Sequence, residues 1–528
     1  MLLPKIMLER VSRNYPGKKA YRCGAVSRTW AEMNQRADRL AGGLMSLGAR
    51  RGDCVAILGQ ESLEIYEHYF ACMKAGLVRV GINWRYAPAE IAHILKDCAV
   101  KVVLVEQRCI SQLSAALTLV DLPIEVVVYG QGDMHVMGYE RLLARSTPIA
   151  PIDLHDSEPL VISYTSGSTG VPKGVVHSHR SVALIIMQGA ISRGLTTDDV
   201  WYAATASSWM ACVLNMIGLA NGMTTIITDG AFEIDAFIEE TQRHQITTAL
   251  LVPTIVGRLV DRCSATPEVL SSLRLLMYGS SPASVGLIER VLGTFRCRLM
   301  QTYGMTEGGW VSHLTPADHE LGLKGRSELL RSAGRVGGMY QMSIRDEEGT
   351  ELPLGQAGEV WLRGETTMLR YHNRPSETEE ALAGGWLHTN DIGRFDEEGY
   401  LYLLDRKKFL IITGAVNVFP ASVEAVLSRH PAVREISVVG APHPDWGEAV
   451  VAVVSQRPGH RAPTTAELGA FAATQLSRME LPKHVMAMED LPKTVTGKID
   501  KRAIKDWVDS QREKLPWAHA ARHAEAAE

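Results

Sequence analysis

Apolar residues recur every three or four positions at Met33, Ala37, Leu40, Leu44 and Leu47. That spacing lays one buried stripe along a helix opening near Ser27, and Gly48 and Gly52 end it. The pattern then becomes short unbroken apolar runs at 53–58, 102–105 and 125–129, which read as buried strands. A second helical stretch runs from about Leu63 to Lys74, and Pro88 starts another, behind a loop at Asn83. Further strand-like runs fall at 160–163, 224–228, 249–252 and 274–278, with helical segments between them. Strands alternating with helices predict an α/β fold of layered subdomains with parallel sheets. From Gly334 the texture shifts to short alternating strands with turn signals, as at 359–363 and 400–404, which predicts a β-rich subdomain. Asp405-Arg406-Lys407-Lys408 interrupts two apolar runs. It marks the expected boundary between a large N-terminal domain, 1–404, and a small α+β domain, 409–528, with strands near 436–439 and 450–454.

Composition narrows the class. With 528 residues, 46% hydrophobic and 22% charged, the chain can bury a large core and is not a disordered protein. A formal net charge of −4 without a long basic block argues against nucleic acid as a partner. The first ten residues lack a secretory pattern, and no run approaches the roughly 18 apolar residues of a membrane span. The eight cysteines are scattered without a Cys-x-x-Cys pair, as expected of reduced thiols in a cytoplasmic enzyme.

The chemistry centres on Tyr164-Thr165-Ser166-Gly167-Ser168-Thr169-Gly170-Val171-Pro172-Lys173-Gly174, between a buried strand and a helical segment from His179. Hydroxyls and glycines in such density leave backbone N–H groups to cradle phosphate oxygens, and Lys173 adds a point charge. A Ser/Gly linker has no need of the strand or of the Pro-Lys-Gly ending. The loop that ends in Gly-Lys-Ser/Thr is a different one.

This segment closely resembles the signature of the adenylate-forming superfamily, which includes acyl-CoA synthetases, luciferases and nonribosomal adenylation domains. The stretch 83–97 resembles fatty-acyl and aryl-CoA ligases more than amino-acid adenylation domains. The resemblance implies ATP and Mg²⁺ as cofactors. Gly279-Ser280-Ser281-Pro282 resembles the segment lining the adenine pocket. In Gln301-Thr302-Tyr303-Gly304-Met305-Thr306-Glu307 it implies that Tyr303 stacks on adenine, Thr306 contacts the α-phosphate and Glu307 binds Mg²⁺. Thr165 is a second candidate ligand for that ion. Asp391 would accept both ribose hydroxyls, with Asn390 where glycine is usual and tolerant of a positive φ. Arg406 would reach a ribose hydroxyl, and 405–408 would be a hinge pivoting at Lys408 for a mobile C-terminal lid. Gly414 opens a loop resembling the one that builds the thiol channel, though Phe409 and Ala415 depart from the usual residues. Leu491 to Asp500 resembles the catalytic-lysine motif, with Lys498 offsetting the charge that builds as a carboxylate attacks the α-phosphate.

Taken singly, these are a turn, a core tyrosine before a helix cap, a solvated aspartate and a surface lysine. Six motifs in the family's order between 164 and 498 argue otherwise. The implied activity is ATP-dependent formation of an acyl-adenylate from a small carboxylic acid, then transfer to the thiol of CoA. Ser207 or Ser208 stands where many such ligases carry a pocket histidine, beside Trp209 and Met210. That departure admits an atypical acid or another acceptor: a carrier-protein thiol, an amine or another small nucleophile. An inactive nucleotide-binding scaffold is the third reading. The acid and the oligomeric state, a homodimer among the options, are left open by the sequence.

Overall fold

The computed structural model describes residues 3–130, 137–165, 172–204, 208, 210–414, 416–494 and 499–518. The chain forms two compact units. The first comprises Met1–Met342, Trp361–His388 and Gly399–Leu401, and the second Ser343–Val360, Thr389–Glu398 and Tyr402–Glu528.

The first unit is built on two large sheets. In the eight-stranded sheet, Pro159–Thr165, Val78–Asn83, Cys54–Gly59, Val102–Glu106 and Glu125–Tyr129 lie side by side and parallel. Their near-continuous apolar character follows from coverage on both faces. Lys173–Ser178 and then Arg370–Tyr371 extend this sheet by antiparallel pairing. The nine-stranded sheet has the parallel core Thr224–Ile227, Val200–Ala203, Thr248–Leu251, Leu275–Gly279 and Arg298–Met305. Gly309–Leu314 folds back on the last of these as a hairpin.

The helix expected near Ser27 is Trp30–Ser46, preceded by a short strand, Val26–Thr29. Thr29 and Glu32 form a reciprocal capping box that fixes its start. Its residues Trp30, Met33, Ala37 and Leu40 enter one buried cluster with Tyr66, Tyr69 and Phe70 of helix Leu63–Ala75. Val182, Ile185 and Ile186 of helix His179–Ser192 join the same cluster, as do Val55 and Val161 of the eight-stranded sheet. The strand ends carrying the sequence motifs therefore stand on a packed frame, at the carboxyl ends where open α/β sheets bind ligands.

Strands Tyr340–Arg345, Gly358–Gly364, Leu387–Phe395 and Leu401–Arg406 form the expected β-rich sheet. Beyond it, the second unit pairs Val433–His443 with Gly447–Gln456 over a long antiparallel ladder, and His484–Ala487 runs parallel to the latter. Alternation splits its apolar residues between two faces. Val438, Val450 and Ala452 pack with helices Pro420–Leu427 and Thr465–Ala472, whereas Val439, Val451 and Val453 pack with helix Lys501–Ser510. No helix among the described residues is long and apolar enough to cross a membrane.

Candidate active site

In the first unit, Thr165 and Lys173 are antiparallel register partners. The loop between them, which contains Ser166, Gly167, Ser168, Thr169 and Gly170, lies outside the described residues; its two stems close onto one another. Tyr164 anchors the first stem by donating to Asp97 Oδ2 at 2.6 Å, and the main-chain oxygen of Asp97 accepts from Asn373 Nδ2 at 2.8 Å.

Thr306 and Glu307 occupy the turn between strands Arg298–Met305 and Gly309–Leu314. No helix begins there, so the helix-cap reading of Thr-Glu does not apply. A register shift between Tyr303 and Gly304 re-aims the strand just ahead of the turn. Two residues from the other sheet hold this turn. His177 Nε2 lies 2.7 Å from the main-chain oxygen of Thr306 and, with only an acceptor opposite, carries the hydrogen. Burial pulls His177 down to about 4, so its ring is neutral. Tyr371 donates to Glu307 Oε1 at 3.0 Å, and Met368 N donates to the main-chain oxygen of Glu307 at 2.7 Å. Lys173 Nζ stands 5.5 Å from the centre of the Tyr371 ring and 4.0 Å from Glu377 Oε1. Lys173, Tyr371 and Glu307 thus form a continuous run from the phosphate-loop stem to the carboxylate. The bond from Tyr371 to Oε1 fixes the orientation of the Glu307 carboxylate.

Gly279 is the register partner of Thr302, immediately before Tyr303. A Cβ on Gly279 would stand 2.5 Å from the main-chain oxygen of Thr302, so only glycine permits this approach. Ser280 follows at φ +66, a conformation L-residues rarely hold away from functional turns, and Ser281 continues this turn.

In the second unit, Asp391 is 6% exposed and its Oδ1 receives Arg406 Nε at 2.6 Å. Asn390 adopts φ +57, as its place in the motif demands, and its N–H donates to Glu359 Oε1 at 3.1 Å. Glu359 Oε2 holds Lys407 Nζ at 3.1 Å. Burial lowers the pKa of Lys408, and neighbouring Arg406 and Arg502 lower it further. Gly414 has φ +55 and donates to the main-chain oxygen of Trp446 at 2.9 Å. Lys498 lies outside the described residues. Its flank is fixed by the bridge between Lys493 and Ile499, and Asp500 then caps helix Lys501–Ser510.

Of the pocket-wall segment, Ser207 and Trp209 fall outside the described residues. Ser208 is buried with its hydroxyl unbonded, and its Cα lies 2.9 Å from where a Cβ on Gly81 would stand. Sequence reasoning missed His177 and Tyr371. A polar residue within the buried run 174–178 was a signal for the first. The two-residue strand holding Tyr371 offers none.

The first unit thus offers a hairpin closed at Thr165 and Lys173 and a braced carboxylate at Glu307, and the second a buried carboxylate, Asp391, on Arg406. Comparison with known proteins gives the family. A family model described as AMP-binding enzyme matches residues 8–372, and one described as AMP-binding enzyme C-terminal domain matches 422–498. The fatty acid–acyl-carrier-protein ligase ScoC of Streptomyces coeruleorubidus is 33% identical over 521 residues, 95% of this chain and 96% of that one. Indoleacetate–CoA ligase of Aromatoleum aromaticum is 32% identical over 504 residues, 93% of this chain and 96% of that one. Among solved structures, the amide bond synthetase McbA from Marinactinospora thermotolerans matches with a TM-score of 0.85 at 31% identity, covering 96% of this chain and 100% of that one.

Proposed function

Since this chain belongs to the AMP-binding enzyme family, we propose that it is an acid–thiol ligase that forms an acyl-adenylate and passes the acyl group to CoA. The observation that carries the reading is the tie between the phosphate-loop hairpin and the 306–307 turn through His177 and Tyr371. Two elements distant in sequence are held side by side, which supports a shared role on a polyphosphate.

The residues present fit ATP and Mg²⁺. The loop 165–170 and Lys173 would hold phosphates, Tyr303 and 279–281 the base, and Asp391 with Arg406 the ribose. Glu307, with Thr165 as a second candidate, would ligate the ion. When bound, Mg²⁺ offsets phosphate charge. Thr306 orients the α-phosphate, and the ammonium of Lys498 offsets the charge that accumulates as the substrate carboxylate attacks phosphorus and pyrophosphate departs. In the second half-reaction a thiolate attacks the acyl carbon, the acyl–oxygen bond breaks and AMP leaves. Residues 405–408 serve as the hinge of a C-terminal lid, 409–528, with Gly414 on its thiol-facing loop. Closure excludes the water that would hydrolyse the mixed anhydride.

A second reading of the acceptor has specific support. Ser207 and Ser208 replace the expected histidine, and relatives of this chain are named as a carrier-protein ligase and an amide bond synthetase. Acid-dependent AMP release with CoA, a phosphopantetheinylated carrier protein or an amine separates the readings. Acyl-CoA formed in step with AMP supports CoA as acceptor; product formed only with carrier or amine replaces it.

A further inference from the structure

Gly279, Thr302 and His313 are register partners on three neighbouring strands and share one face of the nine-stranded sheet with Met277 and Met300. Tyr303 belongs to the opposite face. Arg193, just past helix His179–Ser192, lies over the Thr302 face. Its Nε is 3.1 Å from Met277 Sδ, and its guanidinium carbon is 5.9 Å from the centre of the Trp310 ring.

Arg193 is only 4% exposed. Nη1 reaches the main-chain oxygen of Gly189 at 3.3 Å and Ser192 Oγ at 3.2 Å, while Nη2 is buried without a hydrogen-bond partner. No carboxylate among the described residues pairs with this charge. His313, 6% exposed, has neither ring nitrogen bonded, and the buried hydroxyl of Thr302 is also unbonded. Burial, with Arg193 nearby, pulls His313 down to about 3, so it holds a neutral ring with one N–H to give.

Buried polar groups are normally satisfied, and buried charges are normally paired. A guanidinium with no counter-charge among the described residues and one unpartnered nitrogen, with an unbonded imidazole and an unbonded hydroxyl on the same face, matches a ligand that supplies acceptors and a negative charge. Their location ties them to the substrate acid. Thr302 immediately precedes Tyr303 and is the partner of Gly279, so this face begins at the strand ends assigned to the nucleotide. An acid whose reacting carboxylate stood there would carry its chain along the face toward Arg193.

We infer that Arg193, His313 and Thr302 receive a second carboxylate at the far end of the activated acid, which makes dicarboxylic acids the substrate class. This rests on the acid-activating reading above. The unpartnered Nη2 of a charged guanidinium and two neutral donors suit a carboxylate and offer nothing to a methyl terminus. Desolvating that arginine against an apolar tail would also disfavour monoacids.

The test measures pyrophosphate release by the intact enzyme over chain-length-matched linear diacids and monoacids. The expected result is a diacid preferred in kcat/KM over its matched monoacid by about tenfold or more at the best length. Arg193→Met should abolish that preference and Arg193→Lys should retain part of it. Monoacids equal or better at every length would overturn the inference, and so would Arg193→Met lowering all acids in the same proportion. The wild-type series needs no variant to fold. Pyrophosphate release with no acid of either kind is a distinguishable result, which overturns the activation reading and this inference with it.

Discussion

Tyr371 donates its phenolic hydrogen to Glu307 at 3.0 Å, across 64 residues of sequence. The bond joins the edge of the eight-stranded sheet to the turn of the 298–314 hairpin, and it fixes the orientation of the carboxylate proposed above to hold Mg²⁺. Residues that orient a metal ligand from behind matter nearly as much as the ligand itself. Tyr371→Phe should raise the Mg²⁺ concentration needed for half-maximal pyrophosphate release about tenfold, while Glu307→Gln loses most activity at any Mg²⁺. An unchanged Mg²⁺ requirement would show that the tyrosine is only packing.

Much of this arrangement was readable in the sequence because it is local. Strand 125–129 came from an unbroken apolar run, and the helix at Pro88 from the proline that opens it. The positive φ of Asn390 followed from a turn that wants glycine. The brace on the 306–307 turn was not readable, since His177 and Tyr371 meet it through pairings that only the folded sheets create. Ser27 was misplaced for a related reason. Its helical periodicity begins at Trp30, and the residues before it pair with strand Lys19–Cys23 instead.

Asn390 offers a stability test. At φ +57, glycine at this position should be neutral within about 0.5 kcal/mol, whereas Asn390→Val should cost about 1–2 kcal/mol from the β-branched side chain in a left-handed conformation. Chemical unfolding of both variants would measure the difference. Equal stability would mean the turn relaxes at no cost.

Acid should weaken the first unit. His177 and His179 are both pulled from 6.5 to about 4, chiefly by burial. Their folded pKa values lie below the unfolded ones, so the unfolded chain binds protons first. The stability these neutral rings contribute is present above about pH 6.5 and is lost as pH falls through about 4. The thermal midpoint should therefore drop across that window, by the equivalent of a few kcal/mol. A flat profile would contradict the buried neutral state.

Lys498→Ala should reduce adenylate formation by about 10²-fold or more, as expected for the loss of one transition-state charge partner. Use of preformed acyl-adenylate should be spared. Single-turnover assays of the two half-reactions would show this, and equal loss in both would contradict the assigned role.

The most direct test of the central claim, attack of a carboxylate on the α-phosphate, follows isotope from the acid. With a substrate acid labelled by oxygen-18 in its carboxyl group, one labelled oxygen should appear in AMP after acyl transfer. That oxygen formed the bond to phosphorus and stayed there when the acyl carbon left. Unlabelled AMP, or label recovered in inorganic phosphate alongside ADP, would contradict the account.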